Sequence, residues 1–169
     1  MIEAVIFDMD GVLIDSEPFI TEAAMRMFQE LGHEVKEEDF KPFTGAGEDR
    51  FLGGVAEKYG IELEIIKAKK RTYEIYGEII KDRLKVLDGV EEFIKKCRAR
   101  HLKTAVATSA DATKMHQNLA EMKLPANSFD CTVNGSEIEK KKPHPDIFLA
   151  AAKKLGVAPP HCLIVEDAV

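Results

Sequence analysis

Four short apolar runs recur along the chain: Ala4–Phe7 (AVIF), 104–107 (TAVA), Cys131–Val133 (CTV, the weakest) and 163–165 (LIV). Apolar runs this short, without polar alternation, are expected of strands buried on both faces. Between most of them lie stretches of helical periodicity. Val90, Phe93, Ile94 and Cys97 form one stripe, and Met115, Leu119 and Met122 a second. Ile147, Leu149, Ala150, Ala151 and Leu155, before Gly156, form a third. Strand and helix alternating at this spacing predict βαβ units with right-handed crossovers, hence an α/β fold with a Rossmann-like parallel sheet.

One segment breaks the alternation. From 16 to 84 only helical patterns occur: Ala23, Met27, Phe28 and Leu31 before Gly32, then Phe51, Leu52, Val55 and Tyr59 before Gly60. A longer charged helix follows, with Tyr73, Tyr76 and Ile80 on one side. A block this long exceeds what one crossover needs. The expected organisation is a core from 1–15 and 85–169, with an inserted all-helical cap at 16–84 joined by linkers near 13–16 and 84–88.

The function classes narrow through charge and cysteine use. A formal net charge of −6 over 169 residues argues against nucleic acid or an anionic membrane as the main partner. No stretch approaches the ~20 apolar residues of a membrane span. Cys97, Cys131 and Cys162 are odd in number and widely separated. A reducing compartment, the cytoplasm or one inside an organelle, is the expectation.

Ligands of open parallel sheets bind beyond the carboxyl ends of the strands, and every run here stops at residues suited to that place. The first is followed by Asp8, Met9, Asp10 and Gly11, the second by Thr108 and Ser109, and the last by Glu166 and Asp167. Lys142 and Pro143 come soon after the third. Two like charges as close as Asp8 and Asp10 raise the question of a cation between them, whether a lysine, a metal ion or nothing. Carboxylates, hydroxyls and a lysine together suit phosphoryl transfer. A carboxylate attacks phosphorus, a hard dication such as Mg²⁺ screens the two anions, and lysine and hydroxyl donors hold the phosphoryl oxygens. A second carboxyl group moves the proton. Each feature also has a plainer reading. Asp8, Asp10 and Gly11 resemble a turn, Thr108 and Ser109 suit a helix N-cap, and Lys140 and Lys141 suit a solvated turn. Glu166 and Asp167 suit a first helical turn. His33, His101, His116, His144 and His161 lack ligand spacing.

Taken together, FDMDGV, Thr108–Ser109, Lys142 in KKPHPD and VED at 165–167 resemble the haloacid dehalogenase superfamily of phosphohydrolases. The inserted helical block is similar to the small type-1 cap of the branch containing β-phosphoglucomutase and phosphoglycolate-type phosphatases. The resemblance implies Asp8 as nucleophile and Asp10 as general acid/base, with Thr108, Ser109 and Lys142 on the phosphate. It implies Mg²⁺ between Asp8, the backbone carbonyl of Asp10 and Asp167, with Glu166 close by. Gly45, Glu48 and Arg50 are the cap residues assigned to the substrate. The expected function is a Mg²⁺-dependent phosphatase, monomeric, that hydrolyses a small phosphorylated metabolite, such as a sugar phosphate, through an aspartyl-phosphate.

The match is uneven. The mutase branch is similar in having a histidine where this chain has Ile20 and an arginine where it has Glu48, and Arg50 is two residues away, ~200° around a helix. Transfer to water is therefore expected over phosphomutase chemistry, which is the alternative. The chain also stops two residues after Asp167, where the family continues. That ending predicts a core truncated at its C-terminus, and a further alternative, a catalytically weak binding or regulatory module.

Overall fold

A computed structural model describes residues 1–125 and 128–167. Two compact units emerge, Met1–Asp15 with Leu84–Val169, and Ser16–Arg83. Leu84, expected in the helical block, groups instead with the strands. An isolated antiparallel bridge joins Ile14 to Val86, and Leu87 N–H donates to the Leu13 carbonyl at 2.9 Å, so the returning chain is already tied to the first unit.

In the first unit, β1 (Ala4–Phe7), β2 (Lys103–Ala107), β3 (Cys131–Val133) and β4 (Cys162–Val165) form a parallel sheet in the order β3-β2-β1-β4. Phe7 aligns with Val106 on one side and Val165 on the other. The helices are α4 (Val90–Ala99), α5 (Ala112–Glu121) and α6 (Asp146–Leu155). Strand side chains alternate between faces. Ala4, Ile6, Ala105, Ala107 and Val133 pack with Ile147, Ala151 and Leu155 of α6. On the alternate parity, Phe7 meets Phe93 of α4 edge-on at 5.9 Å and Phe129 at 6.1 Å.

Several expected burials shift. The fourth run is not buried on both faces: Leu163 and Ile164 are 44% and 38% exposed. Among the described residues β4 lies at the sheet edge beside β1, while α6 packs on β1, β2 and β3. Leu149 and Phe93 are also exposed, Leu149 because it points away from the face formed by Ile147, Ala151, Ala152 and Leu155.

The second unit comprises α1 (Glu17–Glu30), α2 (Glu48–Tyr59) and α3 (Ile65–Ile79), with short 3₁₀ turns at Glu37–Asp39 and Lys41–Phe43. Its core runs through Phe28, Phe40 and Phe51, the last two 4.8 Å apart, and includes Tyr76 and Leu52. Gly54 is required, because a Cβ there would lie 2.4 Å from the Phe43 ring. Leu31 and Tyr59, read as stripe residues, are exposed. Leu31 follows the last turn of α1. The Tyr59 ring is turned so that its hydroxyl donates to Asp39.

Candidate active site

The residue directly after each strand is polar. Asp8 follows β1, Thr108 β2, Asn134 β3 and Glu166 β4. Backbone bonds carry the ladder into this layer, from Asp8 N–H to the Val165 carbonyl (2.9 Å) and from Thr108 N–H to the Val133 carbonyl (3.0 Å). Asp8 and Thr108 are buried. The Thr108 hydroxyl accepts from the Ala110 amide at 3.1 Å, which curls the loop after β2. Asp111, and neither Thr108 nor Ser109, caps α5, accepting from the amides of Thr113 and Lys114 at 3.0 and 3.3 Å. That leaves Thr108 and Ser109 in the loop before the helix.

A different lysine stands beside each of Asp8 and Asp10. Lys142 Nζ lies 2.9 Å from Asp8 Oδ1, also pairs with Glu166, and sits 5.1 Å from the Phe148 ring centre. Lys114 Nζ lies 3.3 Å from Asp10 Oδ2. The backbone from Met9 to Ile14 folds back on itself around the second aspartate, with Gly11 N–H donating to the Ile14 carbonyl and Leu13 N–H to the Met9 carbonyl. Gly11 has φ +79°, and a Cβ there would meet Asp167 Oδ2 at 2.2 Å. Two demands thus select glycine after the second aspartate, a left-handed backbone and contact with a carboxylate.

Asp8, Glu166 and Asp167 each offer an oxygen within 4.8 Å of the other two. This all-oxygen donor set fits a hard dication such as Mg²⁺. Burial pushes the Asp8 carboxyl up to about 6, against the opposing pull of Lys142. Of the residues assigned from the sequence, the first unit brings together Asp8, Lys142, Glu166 and Asp167, with Thr108 next to the strand that bears Asp8. Asp10's carboxylate is turned to Lys114. In the second unit, Gly45 has φ +76°, and Glu48 opens α2. Arg50 pairs with Glu57 at 2.9 Å and lies over the Phe43 ring.

Two contributors escaped the sequence reading. Gly135 lets the β3 loop touch the β2 loop: its amide donates to Ala110, and a Cβ would lie 2.2 Å from the Ser109 carbonyl oxygen. Lys114 is buried on α5, where the apolar spacing predicts Met115, Leu119 and Met122 inward; Leu119 is only half-buried. The available signal was its place in the first turn of a helix that follows the β2 strand end by a four-residue loop, 108–111.

The family profile described as haloacid dehalogenase-like hydrolase matches residues 5–169. The chain belongs to this family. It is 44% identical over 171 residues to the protein SUPPRESSOR OF QUENCHING 1, chloroplastic, of Arabidopsis thaliana, covering 99% of this chain and 16% of that protein. It is 33% identical to the phosphorylated carbohydrates phosphatase of Thermotoga maritima, covering 98% of this chain and 76% of the relative. Among solved structures, a putative β-phosphoglucomutase from Thermotoga maritima superposes with a TM-score of 0.77 at 32% identity, over 99% of this chain and 77% of the other. These matches put the chain in the β-phosphoglucomutase and phosphoglycolate-phosphatase-like branch and agree with the α/β parallel-sheet fold. The chain spans about a sixth of the plant protein and about three quarters of the bacterial ones. Among the described residues no helix is long and apolar enough to cross a membrane.

Proposed function

We propose that this chain is a phosphatase that hydrolyses a small phosphorylated carbohydrate through a phosphorylated Asp8. The observation that carries the reading is the grouping at the strand ends, where Asp8 is bonded to Lys142 and shares an oxygen cluster with Glu166 and Asp167. The similarity to a phosphorylated carbohydrates phosphatase supports the substrate class. Asp8 Oδ attacks phosphorus and the P–O bond to the sugar breaks. The departing oxygen takes a proton from Asp10 and leaves as an alcohol. Water then attacks the acyl phosphate, giving its proton to Asp10; the bond to Asp8 breaks and orthophosphate leaves. Lys142 balances the charge of Asp8 and of the arriving phosphoryl oxygens, and Thr108 and Ser109 donate to those oxygens. Held by Asp8, the Asp10 carbonyl, Glu166 and Asp167, Mg²⁺ would supply charge neutralisation between two anions. Gly45, Glu48 and Arg50 of the helical unit are assigned to substrate preference.

Hydrolysis is favoured over mutase transfer because Ile20, where the mutases have a histidine, is buried, and Glu48 stands in place of an arginine. The test is phosphate release from a set of sugar and polyol phosphates, with Mg²⁺ and with chelator. Release that requires Mg²⁺ and disappears in Asp8→Asn is expected. Metal-independent release, or full activity in Asp8→Asn, would overturn the mechanism, and isomerisation of glucose 1-phosphates without phosphate release would identify a mutase.

A further inference from the structure

The buried side of α5 carries two polar residues beside Met115, where a helix packed on a sheet is ordinarily apolar throughout. Lys114 and Asn118, one turn apart, are only 6% and 0% exposed. Residues four apart share a helix face, and this face grips two consecutive residues of the turn after β1. Asn118 Nδ2 donates to the Met9 sulfur at 3.2 Å, and Lys114 Nζ reaches Asp10 Oδ2 at 3.3 Å. The Asp111 cap fixes where α5 begins, and with it the position of Lys114. Burying an ammonium group is costly unless it is paired, and leucine or methionine would fill the place without that cost. Asp10, meanwhile, lies outside the oxygen cluster of Asp8, Glu166 and Asp167, although only Met9 separates it from Asp8.

We propose that Lys114 is a positioning residue for Asp10. Its ammonium group holds the Asp10 carboxyl away from that cluster and aimed at the departing ester oxygen. This inference rests on the phosphatase reading above. The step it governs is the first half-reaction, in which the Asp8–phosphorus bond forms, the ester P–O bond breaks and Asp10 passes its proton to the alcohol. Misplacing such a group by about 1 Å can cost on the order of 100-fold. The loss depends on the leaving group. An alkoxide needs the proton, whereas p-nitrophenolate departs readily without it.

The experiment compares first-turnover release, in the full chain with Mg²⁺, from p-nitrophenyl phosphate and from the alkyl phosphate that the wild type turns over fastest. Lys114→Met is expected to slow alcohol release by about 10- to 100-fold and p-nitrophenol release by less than about threefold, a split that general misfolding would not produce. Lys114→Arg should recover most of the alkyl rate. In an Asp10→Asn background, Lys114→Met should add little further loss, because the two residues act as one unit. Where Lys114→Met fails to fold, Lys114→Gln serves in the same comparisons. Equal slowing of both esters, or an undiminished effect in the Asp10→Asn background, would overturn the proposal. So would an unaffected Lys114→Met rate beside an active wild type, and that result would leave the phosphatase reading standing. A wild type that releases phosphate from no ester would overturn both.

Discussion

Each compact unit buries one aspartate almost equally, and the surroundings drive the two in opposite directions. Asp8, 6% exposed, is pushed up to about 6 by burial. Asp39 in the helical unit, 5% exposed, is pulled down to about 2 by hydrogen bonds from the Lys58 ammonium and the Tyr59 hydroxyl, with the Lys36 amide adding a third. Asp39 is a saturated clasp that ties a 3₁₀ turn to the end of α2. Asp8 also has partners, Lys142 and the Met9 amide, but burial outweighs them, at a cost to its own unit. The contrast is between a carboxylate governed by its donors and one governed by its burial, and the second kind is the more frequent at functional sites.

The largest expected effect tests that cost directly. Asp8→Asn should reduce turnover by at least about 10³-fold, as loss of a nucleophile does, and should also stabilise the protein. Asp8 binds its proton more tightly in the folded state than at its ordinary 3.8. Ionisation therefore destabilises the native state progressively from about pH 4 to pH 6, and the full penalty remains above that. Two pKa units correspond to at most about 3 kcal/mol, less whatever Lys142 loses with its partner. Thermal melts in chelator should show the variant above wild type at pH 7, with the gap closing near pH 4. A variant that melts lower at pH 7 would break the comparison.

Next in size is Gly11→Ala. A Cβ 2.2 Å from Asp167 Oδ2, on a backbone at φ +79°, must displace one or the other. A left-handed non-glycine residue costs roughly 1–2 kcal/mol, and the displaced carboxylate should raise the Mg²⁺ concentration needed for half-maximal phosphate release. An unchanged requirement would separate Asp167 from the metal. Asp39→Asn should have the smallest effect on chemistry. Its native value is depressed, so its contribution is complete above about pH 4 and fades as the pH falls towards 2. A melting point lower by a few degrees at pH 7, convergence with wild type near pH 2, and unchanged turnover per folded molecule are expected. Lost turnover would make the clasp something more than structural.

Much of this was legible because the signals are local. Apolar runs located β1 to β4, and the polar residues after them could be read directly. What escaped depends on neighbours remote in sequence. The run Leu-Ile-Val at 163–165 looks like a central strand, and only the sheet order reveals an edge. Lys114 looks like a solvent-facing helix residue until Asp10, about a hundred residues away, supplies its partner. Gly135 looks like a loop glycine until the Ser109 carbonyl occupies the space a side chain would need. Asp111 and Thr108 are both good caps in sequence, and the choice between them was made by where the backbone turns.

The polar residue after each strand also has a metrological consequence. Neighbouring strands run about 4.8 Å apart, so the spacing of Asp8, Thr108 and Glu166 across the sheet is set by the main-chain ladder. A point substitution can exchange the chemistry on one tooth of this comb without altering its pitch. An inserted residue within β1 would do far more damage than its size suggests. It would slip the register by one, turning Val5 and Phe7 toward the face now held by Ala4 and Ile6. At these strand ends a change of residue therefore leaves the spacing intact, whereas a change of length does not.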